Sequence, residues 1–353
     1  MTRLREDATA GHAIRYPYKG HGAEGFDRVT HAHSADVLAG WYRAMLRIRR
    51  IEEEIERRYH QDQMKTPIHL VIGQEAAAVG CCSALSRADL VYTSHRTHGA
   101  YLAKGGDLGR MLCEMHCRIN GCVGSRGGSM HLIDKSVGMA GTSAIVGGAV
   151  PIATGAALAA KMKRDDRVVV VFLGDATTEE GVTAESLNFA ALKKLPVVFF
   201  CENNFYSVQS PLAARQPPRD IRTWAEAHGM PAVSVDGVNV LAVHDAVRTA
   251  VARARAGEGP TFIEAAVYRF RAHGGAGDDS KTGYRSEAER IAWEAVDPLP
   301  LFGEYLTRAG KLDALAIEKM EHEIAAEIAA AFELALASPN PTEEDLYRHV
   351  YAE

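Results

Sequence analysis

Two wholly apolar runs constrain this chain most: Arg167-Val-Val-Val-Val-Phe-Leu-Gly174-Asp175 and Leu195-Pro-Val-Val-Phe-Phe-Cys-Glu-Asn203-Asn204. Unbroken runs of this length, rich in Val and Phe, predict strands buried on both faces of a parallel sheet. Between them, Thr177–Lys194 carries Val182, Leu187, Ala190 and Ala191 at helical spacing. Strand, helix and strand then form a right-handed crossover unit with the two strands as neighbours. Asp175 and Asn204 fall just past the carboxyl ends of those strands, where open α/β sheets bind ligands. A carboxylate and an amide oxygen there, with glycine beside one of them, suit a hard cation carrying a phosphate ligand. An ordinary polar strand end with an Asn-Asn turn is the competing reading of these residues alone.

The remaining elements extend the same architecture. A helix starts after Ser34, a suitable cap with Asp36 in the first turn. Leu38, Trp41, Met45, Ile48, Ile51 and Ile55 then form one stripe up to Tyr59, and the facing charges Arg49, Arg50, Glu52, Glu53, Glu56 and Arg57 read as a solvated face. Thr66–Gln74 reads as a short strand or loop feeding a small-residue helix, Ala76–Leu85. Strands are expected before His95, at Val233–Asp236 and at Thr261–Tyr268, with a helix from Val240 to Ala256 closed by Gly257. Residues 286–336 read as helical, broken at Asp297-Pro298. The fold class is therefore α/β, in three α/β/α layers around a mostly parallel sheet. Residues 1–33 form an arm, and residues 34–353 one domain with a helical appendage from about residue 297.

Composition removes whole classes of function. A formal net charge of −5 on 353 residues, 24% of them charged, gives no reason to expect nucleic acid or an anionic membrane as partner. No apolar stretch reaches a membrane span, and the first thirty residues carry no apolar signal core. The six cysteines include no Cys-x-x-Cys pair. Cys113, His116, Cys117 and Cys122 crowd together without matching a zinc spacing, so the expected compartment is the reducing cytoplasm.

Glycines crowd residues 121–148, but neither the dinucleotide fingerprint nor a P-loop occurs. His95, Arg96 and His98 share four positions after a short strand; alone they read as a polar loop, although an arginine there suits bidentate phosphate contact. Arg269 to Arg285 is a long polar loop with His273, of a length that is usually functional or disordered.

Taken in order, these motifs resemble the alpha subunit of the thiamine-diphosphate-dependent 2-oxo acid dehydrogenases, which include the pyruvate, branched-chain and acetoin enzymes. The resemblance is carried by Tyr42-Arg-Ala-Met-Leu-Arg-Ile-Arg-Arg, Gly73-Gln-Glu-Ala, His95-Arg-Thr-His-Gly and Gly127-Gly-Ser-Met-His131. It continues through Ile145-Val-Gly-Gly-Ala-Val-Pro151, Gly174-Asp-Ala, Glu185-Ser-Leu-Asn-Phe-Ala-Ala-Leu, Leu195-Pro-Val and Glu202-Asn-Asn-Phe-Tyr206.

The resemblance implies thiamine diphosphate and Mg2+ as cofactors. It makes Asp175, Asn204 and the backbone oxygen of Tyr206 the metal ligands and Arg96 a diphosphate contact. It puts Val146 near the aminopyrimidine ring, and His69 and His273 on the channel to the reacting carbon as catalytic residues. His95, Ala144, Gly174, Ala176 and Thr177 complete the implied cofactor-binding set. Implied partners are a beta subunit, in an α2β2 assembly, and a lipoyl acyltransferase, with a 2-oxo acid or acetoin as substrate. A carboligase or transketolase-like half-enzyme, or a non-catalytic paralogue, are the alternatives. Four departures stand out: Ala176 and Ala144 replace glycines, His95 replaces a tyrosine, and Gly274 replaces the serine of kinase-regulated relatives. Phosphorylation at that last position is thereby excluded.

Overall fold

The computed structural model describes residues 23–27, 29, 32–348, 350 and 351. In chain order its first elements are α1 (Ala23–Asp27), α2 (Ala35–Tyr59), α3 (Glu75–Ser83), β1 (Leu90–Thr93), α4 (His98–Ala103) and α5 (Leu108–Met115). Next come β2 (Met139–Thr142), α6 (Ala149–Lys163), β3 (Val169–Gly174), α7 (Gly181–Lys193), β4 (Val197–Asn203), β5 (Tyr206–Ser207) and β6 (Ser210–Pro211). Then follow α8 (Leu212–Arg215), α9 (Ile221–Glu226), β7 (Ala232–Asp236), α10 (Val240–Arg255) and β8 (Thr261–Ala266). The chain closes with α11 (Glu287–Glu294), α12 (Pro298–Arg308) and α13 (Ala314–Ala337).

The two apolar runs are β3 and β4. They lie side by side in a six-stranded parallel sheet of order β2-β1-β3-β4-β8-β7. Val169–Val171 and Val197–Cys201 are fully buried, which requires cover on both faces. Helices α6 and α7 pack together in one layer, and α10 packs on α3 in another. Each fully buried Val or Phe contributes roughly 1.5–3 kcal/mol, so these strands anchor the core. Gly174 pairs with Glu202 in the parallel register. That pairing sets Asp175 and Asn204 just beyond adjacent strand ends.

Local chemistry explains the helix boundaries. Ser34 Oγ accepts from Val37 N at 3.4 Å and starts α2. The break expected at Asp297-Pro298 is a helix start: Asp297 caps α12 and Pro298 fills its first position. Gly257 follows α10 with a φ of +77°. The crossover helix begins later than its periodicity suggests, because Asp175–Glu179 form a 3₁₀ turn before α7. Residues 66–74 are loop rather than strand, and β8 stops at Ala266, two residues before the expected end.

Helix α1 occupies part of the expected arm, where Phe26 stacks on Phe302 and Tyr305 at ring distances of 5.4 and 5.3 Å. Most of the remaining arm lies outside the described residues. The charged face of α2 is solvated only in part: Arg57 is exposed, but most of the rest departs from the expectation. Arg49 and Glu52 are buried, and Arg50 and Glu56 pair with Glu321 and Arg271 at 2.6 and 2.8 Å. Their partners are far away in sequence, so helical spacing cannot reveal them.

Candidate active site

One cavity of about 190 Å³ opens at the carboxyl ends of β3 and β4. His69, His95, Arg96, Ala144, Val146, Gly174, Asp175, Ala176, Thr177, Asn204, Tyr206 and His273 all line it. Every site residue named from the sequence thus meets in one place. Ser94, Met130, Ser207 and Val208 also line it; of these, only Met130 lies in a motif singled out in the sequence, and none was named as a site residue. A larger groove of about 690 Å³ runs along edge strand β7, away from this cluster.

The segment carrying His69 is held from several sides. Val71 N donates to Glu52 Oε2 at 2.7 Å, and Glu52 Oε1 meets His98 Nδ1 at 2.6 Å. His98 Nε2 lies 2.7 Å from Ser129 Oγ. His98 is therefore a buried structural histidine, unlike its neighbours His95 and Arg96. Gly73 turns with a φ of +98°, and a Cβ there would lie 2.4 Å from the Tyr268 carbonyl oxygen, so only glycine fits.

His273 is presented by a loop pinned at Asp279. The Asp279 carboxylate accepts from Tyr284 Oη at 2.7 Å, from Arg285 at 2.8 Å and from His273 N at 3.3 Å. Burial would raise its pKa, but Tyr284, Arg285 and Arg269 outweigh burial and hold it below the usual carboxylate value. The long loop is thus tied through half-buried Asp279 to the buried guanidiniums of Arg269 and Arg285.

Arg96 is buried and hydrogen-bonds two backbone carbonyls, those of Leu70 and His273. Among the described residues no carboxylate pairs with it. Burial first, then the charge of Arg269, brings its pKa down to about 10. It remains a cation; Glu202 and Glu52 act on it only through space, so a buried guanidinium held by backbone carbonyls alone still suits an anionic ligand.

Three imidazoles face one another across the cavity. The ring centroids of His69 and His95 are 4.6 Å apart, with His273 at 5.2 and 5.3 Å from them. Burial, reinforced by Arg96, lowers their pKa values to about 3 for His69, about 2 for His95 and about 4 for His273. All three are neutral at physiological pH.

Asp175 is buried and forms an ion pair through Oδ2 with Arg215, which also holds Glu179. Burial raises the Asp175 pKa against the opposing pull of Arg215. Gln216 Nε2 braces the same turn, reaching Thr178 Oγ1 at 3.0 Å and Glu179 Oε1 at 2.9 Å. Arg215 and Gln216 lie forty residues on and have no spacing relation to Asp175.

The two asparagines divide their work. Asn203 is fully buried, donating to Glu264 Oε1 at 2.9 Å and accepting from Phe205 N at 3.0 Å. Asn204 is the one on the cavity wall, its Oδ1 accepting from Tyr206 N at 3.2 Å. Phe205 between them takes a left-handed φ of +67°, strain of the kind that concentrates at functional turns. Ala176 sits in the 3₁₀ turn without a positive φ, so the methyl group in place of glycine is accommodated by the backbone.

With this geometry in view, the comparison with known families decides the assignment. A model of the dehydrogenase E1 component family matches residues 43–344. The chain belongs to that family. Its relatives include the alpha subunit of acetoin:2,6-dichlorophenolindophenol oxidoreductase from Bacillus subtilis, 38% identical over 311 residues, covering 88% of this chain and 92% of the relative. The chloroplastic pyruvate dehydrogenase E1 component subunit alpha-3 of Arabidopsis thaliana is 37% identical over 319 residues, covering 88% and 74%. The testis-specific mitochondrial pyruvate dehydrogenase E1 alpha subunit of Homo sapiens is 33% identical over 313 residues, covering 88% and 79%. In this E1 chain Gly274 approaches His69 closely: a Cβ there would lie 3.1 Å from His69 Nε2, so even a small side chain would crowd the imidazole.

Proposed function

We propose that this chain is the alpha subunit of a two-subunit, thiamine-diphosphate- and Mg2+-dependent dehydrogenase component acting on a 2-oxo acid or on acetoin. In this reading it works with a beta subunit, as α2β2, and passes its acyl product to a lipoyl acyltransferase. One observation carries the reading. Oxygen donors, a buried arginine held only by backbone carbonyls and three neutral imidazoles converge on a single cavity.

The residues fit the cofactor. Asp175, Asn204 and the Tyr206 carbonyl are hard oxygen donors of the kind Mg2+ takes alongside phosphate oxygens. Arg96 supplies the cation that a diphosphate needs, and the turn at Ala176-Thr177 offers backbone N–H groups. Gly174 leaves the approach open, since a Cβ on it would meet nothing within 4 Å. His95 offers a ring donor beside Arg96. Ala144 and Val146 form the apolar wall suited to an aromatic ring. When bound, thiamine diphosphate supplies the carbon nucleophile and the electron sink for cleavage beside the substrate carbonyl.

The protein's own part is orientation and proton handling. His69 and His273, both neutral, can each donate at one ring nitrogen and accept at the other. They suit holding the substrate oxygen and moving a proton to it. His273→Ala should leave cofactor affinity within about threefold and lower kcat by roughly 10²–10⁴, the usual contribution of a positioned acid or base. Unchanged turnover would reduce His273 to a loop residue.

Two features support a partner. The cavity is smaller than the roughly 300–1,000 Å³ typical of ligand sites, as a half-site would be. Val146 and Val208 on its wall, and Ile145 next to Val146 in sequence, are exposed apolar side chains, the sort of surface a subunit covers. The six free cysteines support a reducing compartment, proposed as the cytoplasm.

The deciding experiment is co-purification with the beta subunit, followed by assay with an artificial electron acceptor. Pyruvate, branched-chain 2-oxo acids and acetoin are offered in turn. Reduction of the acceptor with one of these classes is expected. Aldehyde condensation without acceptor reduction would overturn the dehydrogenase assignment.

A further inference from the structure

We propose that His69, His95 and His273 form a second metal site, a tris-imidazole face that captures a late first-row divalent ion such as Zn2+ within the cavity. The site is separate from the oxygen-donor site at Asp175 and goes beyond the function proposed above. One ligand nitrogen from each of the three histidines lies within 4.8 Å of the others. A tetrahedral ion with Zn–N bonds of 2.0–2.1 Å needs nitrogens about 3.3 Å apart. Modest ring rotations bridge that difference.

The rings are free to make that movement. Among the described residues none of the six ring nitrogens has a hydrogen-bond partner, and His69 Nδ1 is fully buried without one. A buried polar atom with no partner asks for a ligand. The imidazoles are in the neutral form that binds metal. Three nitrogen ligands with a fourth position open to the cavity match the donor set of open zinc sites. Imidazole also favours Zn2+, Cu2+, Ni2+ or Co2+ over Mg2+.

Two features limit the affinity. Arg96 and Arg269 raise the local positive potential, with Asp279 the opposing charge on the His273 loop. The ion's open position must therefore carry an anion, hydroxide or chloride. Among the described residues no carboxylate or carbonyl accepts from the rings to orient them, which typically lowers affinity about 10–100-fold relative to a braced site. The site is thus weaker than a structural zinc centre. Because two of its ligands are the histidines assigned to the substrate, occupancy blocks turnover.

The test is a Co2+ titration of the full chain in excess Mg2+, followed by visible absorption, with Zn2+ added to displace Co2+. One equivalent of Co2+ should give the intense d–d bands of a four- or five-coordinate ion and lose them on Zn2+ addition. His95→Phe and His273→Asn lie on separate loops. Each should abolish the bands with the circular dichroism unchanged, while Asp175→Ala keeps them. Bands that survive both histidine substitutions, or disappear only in Asp175→Ala, would overturn the proposal. Failure of the Mg2+ reading alone would leave the Co2+ result untouched, so the two are separable.

Discussion

Replacing Asp175 with alanine should abolish Mg2+-dependent binding of thiamine diphosphate by the chain with its beta partner. The loss expected is at least about 100-fold, since even a group that only hydrogen-bonds a metal's ligand typically contributes about 10–100-fold. The physical reason lies in how this carboxylate is kept. It is buried, its pKa is raised by that burial, and Arg215 is its charge partner. A carboxylate has lone pairs enough to hold a guanidinium on one oxygen and a cation on the other, so Mg2+ need not displace Arg215. Alanine removes the anion and leaves Arg215 paired with Glu179 alone. The local potential then becomes more positive, which disfavours a divalent ion further. Asp175→Asn keeps the shape and one oxygen donor but loses the charge, and should fall close to alanine. Calorimetry showing unchanged Mg2+-dependent affinity in either variant would remove Asp175 from the metal site.

Most of this site was legible because it is built from strand ends. The apolar runs of β3 and β4 fix a register, and register fixes which residues follow the strands together. Asn204 rather than Asn203 on the cavity wall follows from β4 ending at Asn203, whose side chain turns to Glu264. Loop contributions were less accessible. Met130 and Val208 reach the cavity from segments with no periodicity, Ser94 follows β1, and Ser207 sits in the two-residue strand β5, too short for a pattern to reveal. Arg215 was invisible because ion pairing across forty residues leaves no mark on local spacing. His98 shows the opposite failure: it stands beside true cavity residues in sequence, yet helix α4 turns it inward to Glu52 and Ser129.

The charged face of α2 hides its long-range partners for the same reason as Arg215, and one of those partnerships gives a large expected stability effect. Arg49 is buried between Glu75 and Asp297, with Nη1 and Nη2 at 2.9 Å from the two Asp297 oxygens and Nη2 at 3.1 Å from Glu75 Oε2. Glu75 Oε2 in turn accepts from Gly73 N at 3.0 Å, so the ion pair braces the segment that carries His69. Burial raises the Glu75 pKa while Arg49 opposes it. Without Arg49 that carboxylate is left buried and uncompensated. Arg49→Ala should therefore destabilise the fold by about 3–5 kcal/mol, the usual result of removing one partner of a buried pair. That is a large share of the roughly 5–15 kcal/mol that holds a folded domain together. Lysine at position 49 should rescue only part, because it cannot bind two carboxylates in the planar, forked geometry of a guanidinium. Adding Glu75→Gln to Arg49→Ala should recover stability relative to the single variant, since the stranded charge is then gone. Urea unfolding of these three variants and of Glu75→Gln alone measures this directly. A single variant within about 1 kcal/mol of the parent, or a double variant with strictly additive losses, would mean that Arg49 acts only through packing against Phe270 and not as the counter-ion of the His69 segment.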